Sequence, residues 1–200
     1  MSDELTSDHV IVTDMGLSFQ GTHQGFKVKK GQKFFTNCGF AAMGWGLPAA
    51  IGACIGSGKK PTICITGEGG LMMNIQELAT IMLNKLPIKI FIYNNGGYLT
   101  IKQTQEIGFE SRLMGVNAET GLSFPDFKKI TEAHGFSYLQ IAEHASLEKN
   151  LSAFLKAPGP AVCELMMSHD QLQSPRYMVK KKADGTTEIP KFETFILLIH

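Results

Sequence analysis

The chain has 200 residues, 44% of them hydrophobic, and 19 Lys and Arg against 18 Asp and Glu, for a formal net charge of +1. Such a length suits one domain with a sizeable core, and so even a charge balance argues against nucleic-acid or acidic-membrane partners. No apolar run reaches the roughly 18 residues of a membrane span. Met1 to His9 lacks the apolar centre of a signal peptide, and Cys38, Cys54, Cys64 and Cys163 show no C-x-x-C spacing. The expectation is a soluble, cytoplasmic protein with reduced thiols.

In chain order, Val10–Thr13 is the first short, β-branched run and reads as a buried strand. A polar loop follows, and Lys33–Thr36 is the second strand. Leu47–Ile55 has helical periodicity. Thr62–Thr66 is a third strand and runs straight into Gly67-Glu68-Gly69-Gly70. Asn74–Leu83 reads as a helix, and Ile88–Tyr93 as a strand that ends at Asn94-Asn95-Gly96-Gly97. Asp126–Ala133 and Leu147–Leu155 are helical, while Ser137–Ile141 and Ala161–Leu165 are the last two strands. From Gln171 the pattern degrades. Pro175, Arg176, the run Lys180-Lys181-Lys182 and Asp184-Gly185 suggest an extended, solvated arm before an apolar ending, Phe195–His200.

Strand and helix alternating in this way imply right-handed crossovers and a mostly parallel sheet covered on both faces. The predicted fold is a doubly wound α/β domain of about six strands over residues 1–170, with residues 171–200 as an appended arm.

Ligands of such a sheet sit outside the carboxyl ends of its strands, where the two glycine-containing loops would meet. After a strand and before a helix, Gly67–Gly70 brings backbone N–H groups and a helix N-terminus toward an anion. On its own such a short glycine cluster is a weak signal, more often an ordinary tight turn. The second loop adds Asn95, 27 residues beyond Glu68. A carboxylate, an amide oxygen and a main-chain carbonyl form a hard oxygen set of the kind magnesium accepts, with phosphates and water completing the octahedron.

Gly67-Glu68-Gly69, the 27-residue interval and the Asn94-Asn95 pair together resemble the thiamine diphosphate motif, which usually reads Gly-Asp-Gly. The resemblance spans about Asp8 to Pro175 and takes in Met43-Gly44-Trp45-Gly46-Leu47-Pro48, Met73-Asn74-Ile75-Gln76-Glu77-Leu78 and Leu86-Pro87-Ile88. It points to the carboxyl-terminal, cofactor-binding domain of acetolactate synthases and related decarboxylases and lyases, with the thiamin diphosphate-binding fold. The resemblance implies Glu68, the side chain of Asn95 and the carbonyl of Gly97 as magnesium ligands. It implies that Gly67, Gly69, Gly70, Tyr98 and Leu99 line the diphosphate, with Gly16 and Ser18 closing it. It also implies Met43 beneath the thiazolium ring and main-chain groups of Ala41 and Met43 along the aminopyrimidine.

Other readings of these residues stand beside those roles. Met43 also reads as a core residue and Tyr98 as a packing residue, while His23 reads as an exposed loop histidine sooner than as a substrate contact, and His134 as a helix-end cap or a solvated side chain. Glutamate at position 68 moves the carboxylate by about 1.5 Å relative to aspartate, and Leu17-Ser18 stands where acetolactate synthases carry Gln-His. A mobile segment, Phe109 through Ala118, is expected beside the site. The family's cofactor cleft also needs a glutamate on a separate pyrimidine-binding domain, to be supplied by another chain or segment of an oligomer. The expected activity is therefore that of half an enzyme acting on 2-keto acids, inactive alone and with no catalytic residue assigned in this chain. A non-catalytic module with a weakened metal site and a general nucleotide-binding α/β module are the alternatives.

Overall fold

The structure, a computed structural model, describes residues 1–171, 180–182 and 184–188. Six strands form one sheet: β1 (Val10–Thr13), β2 (Lys33–Phe35), β3 (Thr62–Gly67), β4 (Ile88–Asn94), β5 (Ser137–Ile141) and β6 (Ala161–Met166), in the order β2-β1-β3-β4-β6-β5. Every pairing is parallel. All six expected strands are present, with ends that agree to within one residue. For the inner strands β1, β3, β4 and β6 this legibility has a physical cause: they are buried on both faces of a parallel sheet and so read as nearly continuous apolar runs, whereas the edge strands β2 and β5 are partly exposed.

Seven helices cover the sheet: α1 (Leu17–Gly25), α2 (Gly46–Gly56), α3 (Glu68–Met73), α4 (Glu77–Leu83), α5 (Leu99–Gly108), α6 (Phe127–Ala133) and α7 (His144–Lys156). Successive strand residues point to opposite faces. Val10 and Val12 therefore join Cys64, Ile90 and Ile92 against α2, α4 and α6, through Leu47, Leu78, Ile81 and Phe127. On the other face Ile11, Ile63, Ile65, Phe91 and Cys163 pack with Leu151 and Phe154 of α7 and with Leu5. Burying each large side chain of this kind contributes about 1.5–3 kcal/mol. The result is the doubly wound α/β domain expected.

Three local expectations change. The polar stretch after Gly16 is helix α1 rather than loop. The helix read over Asn74–Leu83 begins at Glu77, preceded by a turn in which Glu77 N–H donates to Asn74 O at 2.9 Å. Helix α5 was not anticipated, because Lys102, Gln103, Thr104, Gln105 and Glu106 give it a largely polar sequence. In the appended segment, β7 (Lys180–Lys181) pairs antiparallel with β8 (Thr187–Glu188) around Asp184-Gly185, so the lysine run lies partly in a small hairpin. Pro175, Arg176 and Phe195–His200 lie outside the described residues. No helix among the described residues is long and apolar enough to cross a membrane.

One buried carboxylate couples the sheet to the turn ahead of α2. Asp14 follows β1 directly and is 1% exposed. Its Oδ2 accepts from Gly44 N–H at 3.1 Å and from the Thr66 hydroxyl at 2.8 Å, while Oδ1 is buried without a hydrogen-bond partner. A Cβ on Gly70 would lie 2.0 Å from the same Oδ2, so only glycine lets α3 start this close to β1.

Two measurements check this packing. Phe91, fully buried and edge-on to Phe154 at 5.2 Å between centroids, anchors the α7 face. Phe91→Ala should cost about 3–5 kcal/mol in denaturant unfolding, and a loss below 1 kcal/mol would contradict the assignment. Burial pushes the Asp14 carboxyl above its ordinary range, against the pull of its hydrogen bonds. The folded state therefore binds this proton more tightly than the unfolded one, and the contribution to stability falls as pH rises from about 4 through the raised value. Asp14→Asn removes that dependence, so the wild-type chain should lose stability relative to the variant over this interval; parallel curves would count against it.

Candidate functional site

The chain leaves β1 toward β2 on one side and reaches β3 and β4 on the other, so the order in which strands are added reverses between β1 and β3. Open α/β sheets bind ligands in the crevice at such a point. A cavity of about 260 Å³ lies there, bounded by residues that follow β1, β2, β3 and β4.

After β1 the wall is Gly16 and Ser18, with Gly16 at φ 76° heading helix α1. The Ser18 hydroxyl donates to Met15 O at 2.8 Å, which holds the turn. After β2 come Ala41 and Met43. Ala41 has φ 59° and donates its N–H to Asn37 O at 2.8 Å. A left-handed conformation at a non-glycine residue is strained and needs support from its surroundings. After β3 the floor is Gly67, Glu68, Gly69 and Gly70, and after β4 the far wall is Asn95, Gly97, Tyr98 and Leu99. All twelve residues singled out in the sequence border this one cavity.

Glu68 is its electrostatic centre. The side chain is 2% exposed, and Oε1 accepts from the N–H groups of Asn95 and Gly96, each at 2.6 Å. Burial pushes the carboxyl above the ordinary glutamate range, and those N–H groups, with that of Gly97, pull it back. Position also helps, because the first turn of a helix favours negative charge. The Asn95 side-chain oxygen accepts from Gly97 N–H at 3.1 Å, closing a tight turn. Gly97 is required sterically: a Cβ there would lie 2.1 Å from Val116 O.

The second loop is tied down from outside as well. Tyr98 N–H donates to Val116 O at 2.8 Å, and Gly97 bridges to Asn117. The far end of the segment expected to be mobile, Phe109–Ala118, thus has backbone bonds to the site. Because Val116 holds the Tyr98 N–H, that donor is already engaged. The Tyr98 ring packs edge-on against Phe124, 5.9 Å between centroids, while also bordering the cavity. Its packing role and its place on the cavity wall hold together.

Sequence reasoning missed several wall residues. Beside the expected Leu99, Thr100 and Ile101 open helix α5 onto the cavity, and the first N–H groups of a helix have no intrahelical partner. Met15, Leu17, Gln20, Tyr93, Thr100 and Ile101 add to the lining. Gln20 is informative because its Oε1 is buried without a hydrogen-bond partner. Rotation of the amide would offer a ligand its NH₂ group instead. The only available signal was spacing along α1, which the polar sequence concealed. His23 lies on α1 outside this cavity, where its Nδ1–H donates to Phe19 O at 2.8 Å. His134 caps α6, with Nδ1–H donating to Ile130 O at 2.9 Å.

The donor set fits magnesium better than a softer metal. Among the described residues no group of three or more His, Cys, Asp or Glu side chains converges. One carboxylate with an amide oxygen and a carbonyl on the same wall is the hard, incomplete set that a phosphate-bound magnesium ion completes with water and phosphate oxygens. A carboxylate has acceptor capacity for about four partners, and Oε1 uses two.

Comparison with known proteins agrees with this geometry. Residues 14–165 match the family described as thiamine pyrophosphate enzyme, C-terminal TPP binding domain. The chain is 32% identical over 192 residues to the acetolactate synthase isozyme 2 large subunit of Escherichia coli (strain K12), covering 96% of this chain and 34% of that protein. It is 32% identical over 170 residues to the acetolactate synthase large subunit of Porphyra purpurea, covering 85% of this chain and 28% of that one. Acetolactate synthase 1, chloroplastic, of Nicotiana tabacum is likewise 32% identical over 174 residues, 84% of this chain and 26% of its own length. The chain thus spans about a third or less of the relatives it matches. The matched residues run from the buried carboxylate after β1 to the end of β6 and enclose both loops of the cavity, and the chain accordingly belongs to the thiamine pyrophosphate enzymes, as their C-terminal TPP-binding domain.

Proposed function

We propose that this chain is the thiamine diphosphate- and magnesium-binding part of an acetolactate synthase-like enzyme, one that decarboxylates a 2-keto acid or joins it to an acceptor carbonyl. The observation that carries the reading is the convergence of residues from four strand ends on one cavity lined by the buried carboxylate Glu68, by Asn95 and by Gly97. When bound, thiamine diphosphate supplies the carbanion chemistry, and the protein binds and orients it.

In this reading Glu68, Asn95 and Gly97 hold the metal. Gly67, Gly69 and Gly70 at the start of α3, with Leu99 at the start of α5, turn backbone N–H groups toward the diphosphate. Gly16 and Ser18 close that end, Met43 supports the thiazolium ring from the side of α2, and main-chain groups of Ala41 and Met43 border the aminopyrimidine. Since Ala41 N–H is held by Asn37 O, the carbonyl is the group Ala41 has to offer. Tyr98 contributes its ring.

The cleft is completed by a pyrimidine-binding domain from another chain or another segment, within a homo- or hetero-oligomer. Residues 1–170 are the cofactor domain and 171–200 its appendage. A cytoplasmic location accords with an exposed free thiol at Cys38 beside three buried ones.

Glu68 gives the direct test. Glu68→Ala should abolish magnesium-dependent binding of thiamine diphosphate, while Glu68→Asp should preserve or strengthen it, each read by calorimetric titration with and without magnesium. An alanine variant that binds as the parent does would remove Glu68 from the metal site, and would favour a module of the same fold without a working metal centre.

A further inference from the structure

Behind the second loop, outside the cavity, stands another buried carboxylate. Glu164 on β6 is 4% exposed and does not border the cavity. Asn94 Nδ2 donates to its Oε1, the Tyr138 hydroxyl donates to its Oε2, and Gln140 Nε2 approaches Oε2 at 3.4 Å. Donors therefore meet both oxygens. Burial, with Glu164 beside it, pushes the Tyr138 phenol above its ordinary range, which keeps it a donor.

These bonds fix which way the Asn94 amide faces. With Nδ2 held by Glu164, Oδ1 must point forward, and it accepts from Gly96 N–H at 2.9 Å. The same N–H donates to Glu68 Oε1 at 2.6 Å. A continuous path therefore runs from Tyr138 through Glu164 and Asn94 to Gly96, and from there to Glu68. It ties β5 and β6, at one edge of the sheet, to the loop that carries Asn95 and Gly97.

We infer that Glu164 is a positioning residue for the magnesium loop, acting through the Asn94 amide to hold Gly96, and with it Asn95 and Gly97, at the spacing the metal needs. The inference rests on the proposed metal site. An acceptor facing the Asn94 amide is what this position needs. If the carboxylate were lost, the Asn94 amide would be free to rotate, and an NH₂ group facing Gly96 N–H would repel it. Partners outside the ligand shell typically change metal affinity by about ten- to a hundredfold when removed.

The test compares Glu164→Met, which keeps the volume and removes both acceptors, with Glu164→Gln, whose amide oxygen can still accept from Asn94 while the Tyr138 hydroxyl turns to accept its NH₂. Two readouts on the full chain serve: the magnesium concentration for half-maximal thiamine diphosphate binding, and hydrogen exchange at the Gly96 amide without metal or cofactor. Glu164→Met should raise the magnesium midpoint about ten- to a hundredfold, with binding recovered at high magnesium, and should speed Gly96 exchange. Glu164→Gln should recover most of both effects.

Should Glu164→Met fail to fold, Asn94→Ala breaks the same path at its half-buried middle link and carries the same expectation. Parental magnesium dependence and Gly96 exchange in a folded Glu164→Met or Asn94→Ala protein would overturn the inference. A parent chain that binds thiamine diphosphate without any need for magnesium would overturn the metal site itself, while faster Gly96 exchange in the variants would still establish the link from Glu164 to the loop.

Discussion

Glu68 Oε1 sets the separation between the ends of β3 and β4. By accepting from the N–H groups of both Asn95 and Gly96, it holds the second loop against the first and gives the cavity its width. The Asn95 N–H would otherwise face the crevice without a partner, and an unpaired buried donor costs about 1–3 kcal/mol, whereas the Gly96 N–H is shared between Glu68 and Asn94 Oδ1. The carboxylate in turn is desolvated and depends on them. Neither loop can hold its shape without the other, and the cavity exists because both are present.

The same device recurs on either side. Asp14 binds Gly44 N–H and the Thr66 hydroxyl, joining the end of β1 to the turn that carries Met43. Glu164 grips Asn94 from the sheet edge. Three buried carboxylates thus sit at or near the carboxyl ends of β1, β3 and β6, each accepting N–H or O–H groups from a neighbouring element. Burying carboxylates is costly unless they are hydrogen-bonded, and here the requirement makes each of them select one loop geometry. The shape of the pocket follows from satisfying those acceptors.

Much of this was legible in the sequence, and the exceptions have physical reasons. The four inner strands were readable because residues such as Ile63, Ile65, Ile90 and Ile92 are buried from both sides and leave a nearly unbroken apolar run, while the edge strands β2 and β5 are half-exposed and were marked by shorter apolar or β-branched stretches. The wall residues Gly67–Gly70 and Asn95–Leu99 were readable because they carry a motif at fixed spacing. Helices α1 and α5 were not, since their sequences are polar and α5 buries only Leu99. Asp14 and Glu164 escaped notice for a different reason: their partners lie 52 and 70 residues away at Thr66 and Asn94, and no local pattern marks a contact of that range. The departure from aspartate at position 68 was visible, but not that the Glu68 side chain accepts from the amides of the opposite loop.

On the proposed reading these strand ends form a magnesium-dependent site for thiamine diphosphate within a chain that covers about a third or less of its relatives' length. Calorimetric titration of thiamine diphosphate into the unmodified chain, with magnesium present and then chelated, tests it most directly. The account predicts saturable binding that disappears with the chelator. Equal affinity in both conditions, or no heat of binding at millimolar cofactor with magnesium present, would contradict it.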